Sequence, residues 1–377
     1  MTAPAAWSRF CETLSETGRL VTGPLGAQDS RERAEGFRHL TRVLSVATEM
    51  LLEKADTQRP AFTRWMNPHR KLYGDNPRTV YDAAVIDGAR SYRISGTRGT
   101  CAYLGFCVYA TGERGAKRIV GNLDDDAMTF AADGTFELWL AAARPEGSSG
   151  DFLQLDAGTS EVMVRQYFLD PDAEVQAVYT IELVPAAGPP PPLTEDVLAG
   201  RLDLVGGYVR DSVEAELTLS ALSASMATAV FRAGSEYVDV DGNPAPPPVD
   251  LDAVVRVMPT PAIQYSGQWF DNLGDDEAIV IDATMPVCRY LSVQLLTRFM
   301  ESGDWAHYPV FLTSRDLGVE AGDRFRIVVA HRDPGAGHWL ATTGLTSANI
   351  AVRALKAEGV LDVQFRRLPF SKIGAPP

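Results

Sequence analysis

The residues YRISGTRGTCAYLGF, 92 to 106, align without a gap on IVIDATMPVCRYLSV, 279 to 293. Ile94 matches Ile281, Cys101 matches Cys288, Tyr103 matches Tyr290 and Leu104 matches Leu291. Further along, DGTFELWLAAARPEGSSGDFLQLDAGTSEVMVRQY corresponds to GDRFRIVVAHRDPGAGHWLATTGLTSANIAVRAL with short loop gaps. Phe136 then pairs with Phe325, Leu153 with Leu340 and Arg165 with Arg353. The same order over two blocks constrains the fold more than any single motif, because it implies two β-rich copies of one unit. Two copies favour a pseudo-twofold pair over a solenoid.

Between residues 78 and 185 the segments TVYDAAVI, SYRISG, CAYLGFCVY, TFELWLAAA, SEVMVRQYF and AVYTIELV are separated by Asp-Gly and Gly-Ser turn signals. Short runs at this spacing read as antiparallel strands. The expected fold is mainly β with helical segments: two related antiparallel β-sandwich or jelly-roll-like units from an internal duplication, joined by a helical segment. The expected domains are an N-terminal helical segment at 1–60 and a first β-sandwich unit at 61–187. A helical connector at 188–250 and a second β-sandwich unit at 251–377 follow. Within the first segment, Asp29 and Glu32 form a capping box before a helix whose apolar stripe is Phe37, Leu40, Leu44, Ala47 and Leu51. His39 lies beside that stripe and reads as a packing residue. The connector is bounded by the proline-rich GPPPPL, 188 to 193, and NPAPPPVD, 243 to 250. Its helical pattern, 194 to 232, is interrupted near Gly206-Gly207, predicting one or two helices.

Apolar content of 45% and charged content of 22% suffice for a sizeable core in 377 residues. A net charge of −14 argues against nucleic acid or an anionic membrane as partner. The N-terminus has neither a basic region nor an apolar run of signal-peptide length, and no stretch reaches membrane-span length. Cys11, Cys101, Cys107 and Cys288 have no metal-ligand spacing, so the expected location is a reducing cytoplasm.

The segments LYGDNPRTVYDAAVIDGARSYRISGTRG, DDEAIVIDATMPVCRYLSVQL and AHRDPGAGHWLATTGL resemble the bacterial domain-of-unknown-function family numbered 1214, with an N-terminal half like its sister family 1254. The resemblance covers most of residues 60 to 370 and implies a two-domain β-sandwich protein. This chain departs from the family pattern at His338, Ala341 and Leu345, where the pattern has Asn, Asp and His.

Three constellations carry candidate chemistry. The loop AHRDPGAGHWL, 330 to 340, contains His331, Asp333 and His338 as H-x-D-x4-H. An imidazole beside a carboxylate serves as a general base, and the same atoms suit a divalent metal. The competing reading is a surface hairpin, since Asp-Pro-Gly is strong turn chemistry. It outweighs the metal reading and stands level with the acid–base one. The matching loop of the first copy, AAARPEGSSGDFL, has no histidine.

The second constellation, LYGDNPRTVYDAA, supplies Asn76, Arg78 and Tyr81 as substrate-binding candidates. A turn whose Asp and Asn side chains bond their own backbone is the favoured structural reading. In the third, Arg289 and Tyr290 follow a proline turn, and Trp339 could join Trp269, Phe270 and Trp305 around an apolar pocket. Arg165 and Arg353 recur at equivalent positions, where internal salt bridges are favoured over a substrate-carboxylate role.

No nucleotide loop, GxSxG elbow or HExxH is present. The leading expectation is a cofactor-independent hydrolase or lyase, or hydratase, acting on a small or amphipathic organic substrate in a cleft between the β units. Its catalytic residues would be His331, Asp333 and His338. A divalent metal at these residues is the less favoured alternative. The rival classes are a non-catalytic small-molecule-binding protein and an accessory subunit docking a partner through its helical segment. A homodimer is left open.

Overall fold

The computed structural model describes residues 2–112, 116–225, 230–232, 237–238, 244–245, 258, 260–335 and 337–373. It divides into two units. Unit 1 comprises Met1–Leu72, Arg78–Ala215 and Val255–Met258, and unit 2 comprises Tyr73–Pro77, Glu216–Val254 and Pro259–Pro377. The short segment Tyr73–Pro77 thus belongs to unit 2, although the strands on either side of it in sequence belong to unit 1.

Unit 1 begins with helices α1 (Ala3–Val21) and α2 (Ser30–Thr48). The Asp29 side chain accepts from the Glu32 N–H at 2.8 Å, and Glu32 accepts from the Gln28 N–H at 2.7 Å, so the cap closes one residue earlier than a standard box. The buried stripe of α2 runs through Gly36, His39, Leu40, Val43, Val46 and Ala47, while Phe37 is half exposed. His39 therefore sits inside the stripe.

The strands of unit 1 are β1 (Thr63–Met66), β2 (Thr79–Val85), β3 (Tyr92–Thr97), β4 (Tyr103–Thr111), β5 (Lys117–Asp124), β6 (Thr135–Ala141), β7 (Asp151–Gln154), β8 (Thr159–Tyr167) and β9 (Val178–Leu183). They form a five-stranded sheet, β1-β2-β8-β4-β5, and a four-stranded sheet, β7-β6-β3-β9. Strand alternation turns Phe106, Val108, Val162 and Val164 of the first sheet onto Ile94, Leu138, Leu140 and Ile181 of the second, and these make one core. Burial of such side chains stabilises the unit by about 1.5–3 kcal/mol each.

Helix α3 spans Glu195–Ser225 without a break. The expected interruption at Gly206 is instead a packing position. A Cβ there would lie 3.3 Å from Thr13 and 3.4 Å from Phe10 of α1, so glycine permits the two helices to approach closely.

Unit 2 contains β10 (Val230–Arg232), β11 (Tyr237–Val238), β12 (Pro244–Ala245), β13 (Ile263–Phe270), β14 (Glu277–Thr284), β15 (Tyr290–Leu296), β16 (Phe311–Thr313), the short helix α4 (Ser314–Leu317), β17 (Arg324–Ala330), β18 (His338–Ala341), β19 (Ala348–Leu355) and β20 (Val363–Pro369). Apart from residues 244–245, the connector 243 to 250 holding the second proline run lies outside the described residues. The larger sheet is ordered β12-β11-β10-β13-β19-β15-β16 and the smaller β18-β17-β14-β20. Their shared core includes Leu291, Val293, Ile350 and Val352 on one side and Ile279, Ile281, Ile327 and Val329 on the other.

The two β-rich regions share a common strand order. The order β2-β8-β4 reappears as β13-β19-β15, and β7-β6-β3-β9 as β18-β17-β14-β20. Ile94 faces Leu138 where Ile281 faces Ile327, and Leu153 sits beside Leu140 where Leu340 sits beside Val329. Among the described strands the antiparallel expectation holds except for one pair in each unit: β6 with β7, and β17 with β18, run parallel. Among the described residues, no helix is long and apolar enough to cross a membrane.

Candidate functional site

The loop at residues 330 to 340 leaves β17 at Ala330 and enters β18 at His338. Because β18 runs parallel to β17, His338 lies beside Ile327 rather than opposite His331. Four residues of strand, about 13 Å, separate those levels. His331 Nε2 lies 2.9 Å from the Leu273 carbonyl oxygen and Nδ1 lies 2.6 Å from Thr342 Oγ1. A carbonyl only accepts, so Nε2 carries the hydrogen, and in the neutral ring Nδ1 accepts from the threonine hydroxyl. Both nitrogens are thereby engaged in tying the end of β17 to its neighbours. Asp333 Oδ1 accepts from the Gly335 N–H at 2.7 Å, as a turn aspartate does. Among the described residues, no cluster of three or more His, Cys, Asp or Glu side chains could hold a metal ion.

The other sequence candidates separate in the same way. Arg78 Nη1 donates to the Leu169 carbonyl at 2.8 Å and Trp339 Nε1 to the Ala330 carbonyl at 3.1 Å, both backbone ties. Tyr81 is buried in unit 1 beneath the Arg165 guanidinium. The Arg289 N–H donates to the Leu355 carbonyl at 3.0 Å. Trp269 is buried with the Arg298 guanidinium 5.2 Å from its ring centre.

Asn76 and Tyr290 are brought together. Both belong to unit 2 and both are buried. Tyr290 Oη donates to Asn76 Oδ1 at 3.0 Å, and Asn76 Nδ2 donates to Ser292 Oγ at 3.2 Å. Asp75 reaches a residue far along the chain. Its carboxylate accepts from the Ser302 N–H at 2.8 Å and from Ser302 Oγ at 2.6 Å. The Asp75 carbonyl accepts from Gln294 Nε2 at 2.7 Å, and the Tyr73 N–H donates to the buried Glu216 carboxylate at 2.6 Å. Tyr73 and Gly74 both have positive φ, 52° and 68°, which folds the segment tightly onto the sheet.

The surface that receives this segment is the outer face of the larger sheet. Val293 and Val352 point into the core, so their neighbours Ser292, Gln294 and Arg353 point away from it. Arg353 lies in β19 between Tyr265 of β13 and Ser292 of β15. This face is nevertheless buried: Ser292 and Gln294 are 0% exposed and Arg353 7%. Arg353 Nη2 donates to the Gly74 carbonyl at 2.5 Å. Its Nη1 and the Gln294 Oε1 are buried without a hydrogen-bond partner among the described residues. Among the described residues neither Arg353 nor Arg165 makes the expected salt bridge; the Arg165 guanidinium donates to Tyr109 Oη and the Met258 carbonyl.

The sequence missed Gln294, Ser302 and Glu216. The repeat pointed toward the first, since Gln294 directly follows the matched stretch ending at Val293. Nothing local marks the other two.

The chain is similar to an uncharacterized protein from Burkholderia cenocepacia whose crystal structure is known. The two share 30% identity over 98% of each chain, with a TM-score of 0.84. A Vibrio parahaemolyticus protein is similar over 88% of this chain and 98% of its own, at 12% identity and a TM-score of 0.48. No family model matches the chain, and no curated protein does.

Proposed function

This chain belongs to the family of the Burkholderia cenocepacia protein, and from the residues of its own buried polar face we propose that it binds a small hydroxy acid in unit 2. One observation carries the reading. Arg353 Nη1, a donor, and Gln294 Oε1, an acceptor, are buried on adjacent strands and neither has a partner among the described residues. Each unsatisfied buried group costs about 1–3 kcal/mol, more for a charged one, so the pair calls for a complementary molecule. A carboxylate supplies the acceptor that the guanidinium fork matches, and a hydroxyl supplies the donor for the amide oxygen. The Asn76–Tyr290–Ser292 chain forms a rigid polar wall for such a ligand.

The hydrolase or lyase reading has less support, because the His331 ring has both nitrogens committed to Leu273 and Thr342. We further infer that the two units are jelly-roll-like sandwiches derived by duplication. The matched strand orders support this. Grouping with the domain-of-unknown-function 1214 proteins belongs to the same proposal and rests on the sequence motifs alone.

Calorimetric titration of the whole chain with sodium lactate tests the binding. Saturable binding is expected in the wild type, with loss in Arg353→Met and weakening in Arg353→Lys, which keeps the charge but not the fork. No binding, or binding equal in all three, would refute it.

A further inference from the structure

Arg165 occupies in unit 1 the place that Arg353 occupies in unit 2: the middle strand of the larger sheet, here between Tyr81 of β2 and Gly105 of β4. It is 3% exposed. Nη1 donates to Tyr109 Oη at 3.0 Å, Nη2 donates to the Met258 carbonyl, and the Tyr81 and Tyr109 ring centres lie 6.0 and 5.9 Å from its central carbon. Its neighbours are thus a neutral phenol, a carbonyl, the neutral Cys107 thiol and two aromatic rings. No carboxylate pairs with it among the described residues. Glu161, on the same face of β8, lies four residues along the strand, about 13 Å away. That carboxylate is held by Lys117 at 2.8 Å.

A guanidinium taken out of water loses more than two neutral acceptors return, and buried charges are accordingly paired with an opposite charge. Five N–H donors are available on the fork, and among the described residues only neutral groups meet them: the Tyr109 and Met258 oxygens and the Cys107 sulfur. We propose that unit 1 holds a second anion site, in which Arg165 binds a small carboxylate carrying a short apolar tail. The chemistry of the tail follows from the face. Residues of the strand face around Arg165 are Met163, Tyr167, Tyr103 and Cys107, all buried, where unit 2 presents Asn76, Ser292 and Gln294. Burial also raises the Cys107 thiol and the Tyr103 and Tyr109 phenols above their ordinary pKa values, so these neighbours remain neutral and supply no counter-charge. The proposal does not depend on the unit 2 reading.

Isothermal titration of the full chain with sodium propionate is the test, with sodium chloride in a parallel titration. Saturable propionate binding is expected. It should weaken about tenfold or more in Arg165→Lys, where the fork is lost and the charge kept, and disappear in folded Arg165→Met. The surface variant Arg118→Ala should bind as wild type does. No propionate binding, unchanged affinity in Arg165→Lys, or equal binding of chloride would overturn the carboxylate assignment. Sodium lactate read alongside keeps the units apart: losing lactate binding while propionate still binds would fail the unit 2 reading alone.

Discussion

The Tyr290 hydroxyl donates to Asn76 Oδ1 at 3.0 Å although the two residues are 214 apart in sequence. The bond fixes the Tyr73–Pro77 segment on the outer face of β15, where Ser292 and Gln294 take its next hydrogen bonds. Tyr290→Phe is expected to lower unfolding free energy by about 0.5–1.5 kcal/mol, the net worth of one such bond. Asn76→Ala should cost more, about 1–3 kcal/mol, because buried hydroxyls then lose their partner. A double-mutant cycle in urea should give a coupling of about 0.5 kcal/mol or more. Strict additivity would mean the bond is not formed.

Gly74 tests the same segment through its backbone. Its φ of 68° is left-handed, and an added Cβ would lie 3.0 Å from Arg353 Nη2. Gly74→Ala should destabilise unit 2 by about 1–2 kcal/mol from the backbone alone, and it should also weaken lactate binding by displacing the guanidinium. Thermal melts with and without lactate read both effects.

Much of the fold was legible because strand periodicity survives in both halves. The matched pairs Phe136 and Phe325, and Arg165 and Arg353, hold equivalent register positions. The turn after Ala330 was legible too. What escaped reading depends on contacts distant in sequence. Asp75 bonds Ser302 across 227 residues, His331 is committed to Leu273 across 58, and β18 returns parallel to β17. Gly206 misled because a glycine that admits a neighbouring helix resembles, in sequence, one that breaks its own. The arginines were expected to find carboxylates, since composition gives no sign that the nearest acceptors are backbone carbonyls.

His331 is expected to act on stability. His331→Ala removes both of its bonds and leaves the buried Thr342 hydroxyl and the Leu273 carbonyl without their partner. The expected loss is about 1–3 kcal/mol, read as a lower urea midpoint. Lactate affinity should stay at the wild-type value, and its loss would return the loop to the functional site.

Acid should weaken unit 2 through Asp282. Burial alone would raise its carboxyl pKa, but hydrogen bonds from Arg326 and Arg366 outweigh that and hold it below the ordinary 3.8. A depressed folded-state pKa contributes stability that is fully present above the unfolded value and is lost as pH falls through the folded one. The stability gap between wild type and Asp282→Asn should therefore be constant above about pH 5 and shrink below about pH 4. A gap that grew on acidification would contradict the ion pairs.

Thiol labelling checks burial across both units. Cys11 is exposed, Cys101 and Cys107 are buried, and burial pushes the Cys288 thiol up to about 11. Ellman's reagent at neutral pH should find one fast thiol in the folded chain and all four in denaturant, since the thiolate is the reactive form. Mass mapping should place the fast one at Cys11.

The central claim is that Arg353 and Gln294 jointly hold a small organic acid, and a high-resolution crystal structure grown with sodium lactate tests it most directly. The predicted result is lactate density with the carboxylate within hydrogen-bond distance of Arg353 Nη1 and the hydroxyl facing Gln294 Oε1. A single water bridging the two atoms, with lactate absent, would contradict it.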